Sequence, residues 1–182
     1  LEIKVKRPDV KVRYRSGFFN IEEEKLLKRD TAENKPPAQQ MVEALISPFG
    51  RNDISVRLNA LYGNSKDGSF ARFLIHVNAQ DIKFTDEPNG DKKAVLDLFS
   101  ASFSDNGQIV DQIGKTHTLM IKKEDFPGIL RDGFVYFHTF PMKKAGAYQL
   151  RIAIRDTNGG KIGAANQFIE IPDIKKERLN LS

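Results

Sequence analysis

The chain has 182 residues, 40% hydrophobic and 29% charged, with a formal net charge of +5, no cysteine and no tryptophan. This is the composition of an ordinary globular chain. It excludes disulfides, thiol catalysis and cysteine-ligated metals, and no apolar run reaches the ~18 residues of a membrane span. The charge is uneven. Residues 1–20 carry Lys4, Lys6, Arg7, Lys11, Arg13 and Arg15 against Glu2 and Asp9, and the remainder is close to balance. A solvated basic face accounts for this. No base-stacking platform or nucleic-acid motif accompanies it, so no nucleic-acid partner is expected. Without an initiator Met or a signal peptide, the sequence reads as a fragment or a processed product.

In chain order, Leu1, Ile3 and Val5 alternate with charged residues, as do Val10, Val12 and Tyr14, on either side of Arg7-Pro8-Asp9. Residues 1–20 are therefore expected to form a strand pair. A lone pair is marginal in water, so it must dock on its own chain or on a neighbouring domain. Residues 21–52 read as a charged linker followed by a short helix. Pro36-Pro37 opens that helix, Met41, Ala44 and Leu45 lie at helical spacing, and Pro48 stops it. Such a helix serves as a packed strut or as a partner-binding element, with the strut the commoner case.

From Ile54 the period becomes two. Ile54, Val56, Leu58, Ala60 and Tyr62 alternate, then Phe73, Ile75 and Val77. Gly63 to Gly68 and residues 86–91 read as loops. A long strand follows, with Leu96 and Leu98 on one face and Val95, Phe99 and Phe103 on the other. Asp105-Asn106-Gly107 predicts a hairpin, after which Ile109-Val110 and Leu119 to Ile121 continue the sheet. Glu124 to Arg131 predicts a one-turn helix or a crossover between sheets. Phe134, Tyr136, His138 and Phe140 alternate again, and a last strand runs from Ala165 to Ile171.

The stretch Gly146 to Asp156 is the best-defined strand. Tyr148, Leu150, Ile152 and Ile154 share one face, and Gln149, Arg151, Ala153 and Arg155 share a face expected to be wet. Tyr148 follows the Gly146 turn and precedes the core residue Leu150. That placement matches the tyrosine corner of immunoglobulin-type sandwiches, with a plain core tyrosine as the alternative. Gly146, Tyr148 and Leu150 are the structural residues singled out. The fold class is all-β: an immunoglobulin-like antiparallel β-sandwich over residues 53–172, with an N-terminal strand pair, one short helix and a tail at 173–182.

Three constellations invite chemistry. Asp97, Ser100 and Ser102 approach an Asp-x-Ser-x-Ser metal motif, but the spacing is off by one and strand parity separates Asp97 from both serines. Asp86, Glu87, Asn89 and Asp91 could face Ca²⁺ but lack the full loop pattern and its distal Glu. His76, His117 and His138 fall on three strands that nothing forces together. No Ser-His-Asp order, phosphate loop or glycosidase carboxylate pair stands out. No catalytic residue, metal or cofactor is expected, and the chain is read as a non-enzyme.

The segments Ile3 to Phe18, Ser47-Pro48-Phe49, Ile54 to Leu58, Phe84 to Pro88, Gly133 to Tyr136, Gly146 to Arg151 and Gln167 to Asp173 recur in order in one family. The chain resembles the region that follows the von Willebrand factor type A domain in acidobacterial exported proteins. The resemblance implies a non-catalytic interaction or structural module of an exported multidomain protein, located outside the cell or in the envelope. Its partner would be a protein or a neighbouring domain. A carbohydrate-binding module and an accessory domain of an enzyme elsewhere in the parent chain are the alternatives. The former would want exposed aromatics such as Tyr62, Tyr136 or Phe140 on a flat sheet face.

Overall fold

Alternating apolar residues dominate the second two-thirds of the chain, and the computed structural model turns that pattern into two antiparallel sheets. The structure describes residues 35–47, 50–66, 68–142 and 144–173. The expected strand pair at 1–20, the charged segment up to residue 34 and the tail from residue 174 lie outside the described residues. The chain divides into two units after Lys35, and the sandwich belongs to the second, Pro36–Ser182.

The elements are α1 (Pro37–Ile46), β1 (Val56–Ser65), β2 (Gly68–Val77), a 3-10 turn (Ala79–Asp81) and β3 (Thr85–Asp86). They continue with β4 (Lys92–Ser104), β5 (Ile109–Ile121), α2 (Phe126–Asp132), β6 (Phe134–Pro141), β7 (Gly146–Asp156) and β8 (Ile162–Ile171). One sheet has the order β1-β2-β6. The other runs β5-β4-β7-β8, with the two-residue β3 also on β4. In immunoglobulin lettering these are strands A, B and E against C′, C, F and G. The fold is thus an all-β, immunoglobulin-like antiparallel sandwich.

Inward residues of both sheets form the core: Leu58, Phe73, Ile75, Val77, Leu96, Leu98, Phe140, Leu150, Ile152 and Ile154. Phe73 and Phe140 meet at 4.8 Å between ring centroids. Burying a side chain of this kind stabilises the fold by about 1.5–3 kcal/mol. One side of the sandwich is stitched shut. Asn52 bridges to Gly163, and the Ala60 amide donates to the Gln167 side chain. Gly163 is needed there because a Cβ would stand 2.2 Å from the Ile54 carbonyl oxygen.

Several expectations are corrected. Gly63 to Gly68 is not a loop: β1 and β2 stay paired out to Ser65 and Gly68. The Phe70 ring lies over Gly63, where a Cβ would meet it at 2.4 Å. The glycine that suggested a turn instead makes room for a cross-strand ring. β5 is one unbroken strand of 13 residues rather than two pieces, joined to β4 by a turn in which Gly107 has φ +80°. The helix or crossover expected over Glu124 to Arg131 is both, α2 (Phe126–Asp132) crossing from β5 to β6, so the described residues hold two α-helices where the fold-class expectation had one.

The outward face of β7 is not wet either. α1 lies on it, and Met41, Ala44 and Leu45 form a second core with Ala101, Ala153 and Ile162. The alanines of the sheet, Ala101 and Ala153, are both fully buried and let the helix approach closely. Arg151 fixes the helix end by donating to the Leu45 and Ile46 carbonyls at 3.0 Å each. These are among the carbonyls a helix leaves without an internal partner. The guanidinium also sits 5.0 Å from the Phe103 ring centroid, and burial lowers its pKa.

Candidate functional site

Each sheet has an outer face, and the two are covered differently. α1 lies over that of β4 and β7. Among the described residues no element lies on that of β1-β2-β6. Register places its outward residues in rows across the three strands. The rows are Arg57, His76 and Val135, then Asn59, Leu74 and Phe137, then Leu61, Arg72 and Thr139. Phe70 and Pro141 finish the face beside Gly63.

The face is apolar at its centre. Phe137 is 65% exposed, Val135 60% and Leu61 54%, with half-buried Leu74 between Asn59 and Phe137. Scattered exposed apolar residues are ordinary, but a contiguous group on one rigid face marks an interaction surface. Its polar members are basic or neutral. Arg57 and Arg72 are the charged residues in those rows, and among the described residues no carboxylate shares them. Arg72 lies over the Phe70 ring, 5.6 Å from the centroid, and reaches the Thr139 hydroxyl at 3.4 Å. His76 turns to the rim, its Nε2 2.8 Å from the Asp132 carbonyl oxygen. Gly133 is held at φ +73° where a Cβ would meet Val77 and His76.

The residues singled out from sequence fall elsewhere. Tyr148 is buried at the start of β7, and its hydroxyl donates to the Lys144 carbonyl at 2.8 Å. Gly146 opens the strand at φ +141°, and Leu150 is fully buried on the Tyr148 face. Burial raises the Tyr148 pKa, and Asp105 adds to the rise.

Ser100 and Ser102 are buried, whereas Asp97 accepts from Thr116 at 2.7 Å on the opposite side of β4 and faces Arg155 at 3.5 Å. The carboxylates of the 86–91 turn are engaged locally. Asp86 pairs with Lys92 and Glu87 with Lys93, while Asp91 accepts from Asn89 and from the Lys123 amide. His117 and His138 both face the interior, on β5 and β6, but His76 is on the outer face of β2. Among the described residues no group of three potential ligands is placed to hold a metal ion, and no helix is long and apolar enough to cross a membrane. Tyr62, Tyr136 and Phe140 point into the sandwich and pack in or against its core.

Sequence reasoning missed the bare face. Its signal was present in β6, where Val135 and Phe137 are apolar at the parity opposite to Phe134, Tyr136 and Phe140. It also missed Asp156, which reads in sequence as a turn residue. Asp156 is fully buried and accepts from the Lys83 and Asn158 amides.

No protein-family model and no curated protein matches the chain. Among solved structures it is similar to a β-glucuronidase of Bacteroides uniformis, at 14% identity and a TM-score of 0.37, over 69% of this chain. It spans only 14% of that enzyme. A calcium-binding mutant of Bacteroides uniformis β-glucuronidase 2 gives the same figures. A Northeast Structural Genomics Consortium target is similar at 12% identity and a TM-score of 0.34, over 72% of this chain and 95% of the target. Likeness at this level carries no information about activity.

Proposed function

We propose that this chain is a non-catalytic interaction module of an exported multidomain protein, following a von Willebrand factor type A domain. It docks through the outer face of β1-β2-β6. Its occupant is a protein surface, apolar at the centre and acidic at the edge, on a partner or a neighbouring domain. The observation that carries this reading is the contrast between the faces. α1 covers the β4 and β7 centre of one sheet, leaving Phe168 and Met120 exposed at its margins, whereas among the described residues nothing lies on Leu61, Val135 and Phe137 of the other. The basic character of Arg57 and Arg72 favours carboxylates opposite them. The order of strand segments shared with the exported family supports the setting. Of the aromatics named for the carbohydrate-binding alternative, Tyr62, Tyr136 and Phe140 are turned inward; Phe137 is exposed, but it stands beside Leu74 and Val135 rather than in a row of aromatic rings.

The absence of cysteine supplies the test. Phe137→Cys gives the chain one reporter thiol at the centre of the face. Maleimide labelling should be fast in this chain alone and strongly slowed in the parent protein as isolated from its producing cells. Equal rates in both would rule out a covered face and this reading with it.

A further inference from the structure

The larger sheet ends in a free edge. β5 is 13 residues long. It pairs with β4 and, among the described residues, with no other strand. β6, at the free edge of the other sheet, ends in Pro141, whereas β5 holds no proline. The pairing of β5 with β4 slips once, at Val110, and is regular from Asp111 to Ile121. An unpaired edge of this kind offers a row of backbone donors and acceptors to a second strand.

Which strand it accepts is set by the side chains along it. Asp111, Ile113 and Lys115 pair with the buried residues Ser102, Ser100 and Leu98, so they lie on the inner side of β5. Ile113 packs against the core. Asp111 and Lys115 flank it with opposite charges, and among the described residues neither forms an ion pair. Both act on His138 across the open side of the sandwich. From His117 onward the inner row is closed. His117 stacks on Tyr136 at 4.6 Å with its Nε2 buried and unpartnered, and Leu119 packs on the core. Inward charges at an edge bar an apolar strand, which would bury each of them unpaired. A copy of β5 escapes that penalty. Asp111 and Lys115 are equally far from Ile113, so an antiparallel copy centred on Ile113 sets each Asp111 opposite the partner's Lys115. Opposite charges in facing positions stabilise a pair of strands, and like charges destabilise it.

We propose that β5 is a self-association site, at which Asp111 to Lys115 of two copies pair antiparallel about a twofold axis at Ile113 and join their sheets edge to edge. The contact is isologous and closes after two copies, so it gives a dimer and not a fibre. It uses no residue of the outer face of β1-β2-β6, and the two proposals stand or fall separately.

The test is sedimentation velocity of the full chain from about 5 μM to about 1 mM, the span in which a small interface shows itself. The unsubstituted chain should pass reversibly from monomer to dimer. Asp111→Lys and Lys115→Asp each turn both facing pairs into like charges, and each alone should weaken the dimer about a hundredfold. Mixed in equal amounts, the two variants should form a heterodimer with the affinity of the unsubstituted chain, because every Lys again faces an Asp. Phe137→Ser, on the outer face, should leave the dimer unchanged. Amide shifts of the unsubstituted chain between dilute and concentrated samples should fall at Asp111 to Lys115, which decides the matter should either variant fail to fold. The proposal is overturned by a monomer throughout, by a dimer that survives either single reversal, by a mixture of folded variants that does not associate, by loss on Phe137→Ser, or by shifts away from β5.

Discussion

Replacing Tyr148 by Phe removes one oxygen and leaves the buried ring in place. The oxygen donates to the Lys144 carbonyl at 2.8 Å, holding the chain between β6 and β7 against the start of β7. A neutral intramolecular hydrogen bond contributes about 0.5–1.5 kcal/mol net, and a carbonyl stranded in the core would add to that. Lys144 is exposed, so water can reach its carbonyl, and the loss should be about 1 kcal/mol. For a domain of this size that lowers Tm by about 2–4 °C. With a urea m-value near 2 kcal/mol/M it lowers the midpoint by about 0.5 M, with m unchanged. Removing the ring as well, in Tyr148→Ala, should cost about 3–5 kcal/mol, because a cavity is left behind. The two losses separate the hydroxyl from the packing. The pH dependence adds a sign. Burial raises the folded pKa of the phenol, so the unfolded chain loses that proton first. Stability is full below the ordinary tyrosine range and falls as pH rises through it. Y148F should remove part of that fall. Urea unfolding followed by far-ultraviolet circular dichroism is the assay. A Y148F midpoint equal to that of the unsubstituted chain would refute the role given to the hydroxyl.

Arg151→Ala removes two bonds to the end of α1 and the contact with Phe103, and should cost about 2–3 kcal/mol. Arg151→Lys, with no planar fork to span both carbonyls, should restore no more than about half of that on the same urea assay. His138 has its pKa lowered, chiefly by burial and then by Lys115, with Asp111 opposing and His117 adding to the effect. The stability it contributes is present above the ordinary histidine range and is lost as pH falls through the depressed value. Melting curves between pH 8 and 5 should slope downward toward acid, and His138→Gln should flatten that slope; an unchanged slope would count against a buried neutral imidazole.

The strands were legible because alternation is a direct readout of the sheet period. Ile54 to Tyr62, Phe73 to Val77 and Tyr148 to Ile154 all turn their expected sides inward. What alternation does not encode is the next layer. On β7 the outward set Gln149, Arg151, Ala153 and Arg155 looks wet by composition, yet α1 covers part of it, and Ala153 is as buried as Ile152. Small size, not polarity, was the signal there. Gly63 misled for a related reason, because glycine that yields space to Phe70 looks in sequence like glycine that bends a chain. Orphaned or buried polar atoms such as His117 Nε2 and the Asp156 carboxylate were also out of reach. Burial of a polar group depends on which loops and strands converge on it, not on its own neighbours in sequence.

The candidate face stayed hidden for the same reason. β6 carries bulky apolar residues at both parities, whereas the outward set of β7 offers only alanines among polar residues, so composition alone would leave β7 wet and says nothing of what covers β6. The cover is the reverse: α1 packs on the β4 and β7 side, and among the described residues no element lies on Val135 and Phe137 of β6. A bare apolar sheet face risks edge pairing and aggregation unless something guards it. Here Arg57 and Arg72 place charge on that face, and Pro141 ends β6, the strand at the sheet's free edge, with a residue that cannot donate to a ladder. These devices oppose nonspecific stacking, and in the docking role proposed above the same arginines would meet carboxylates of the partner surface.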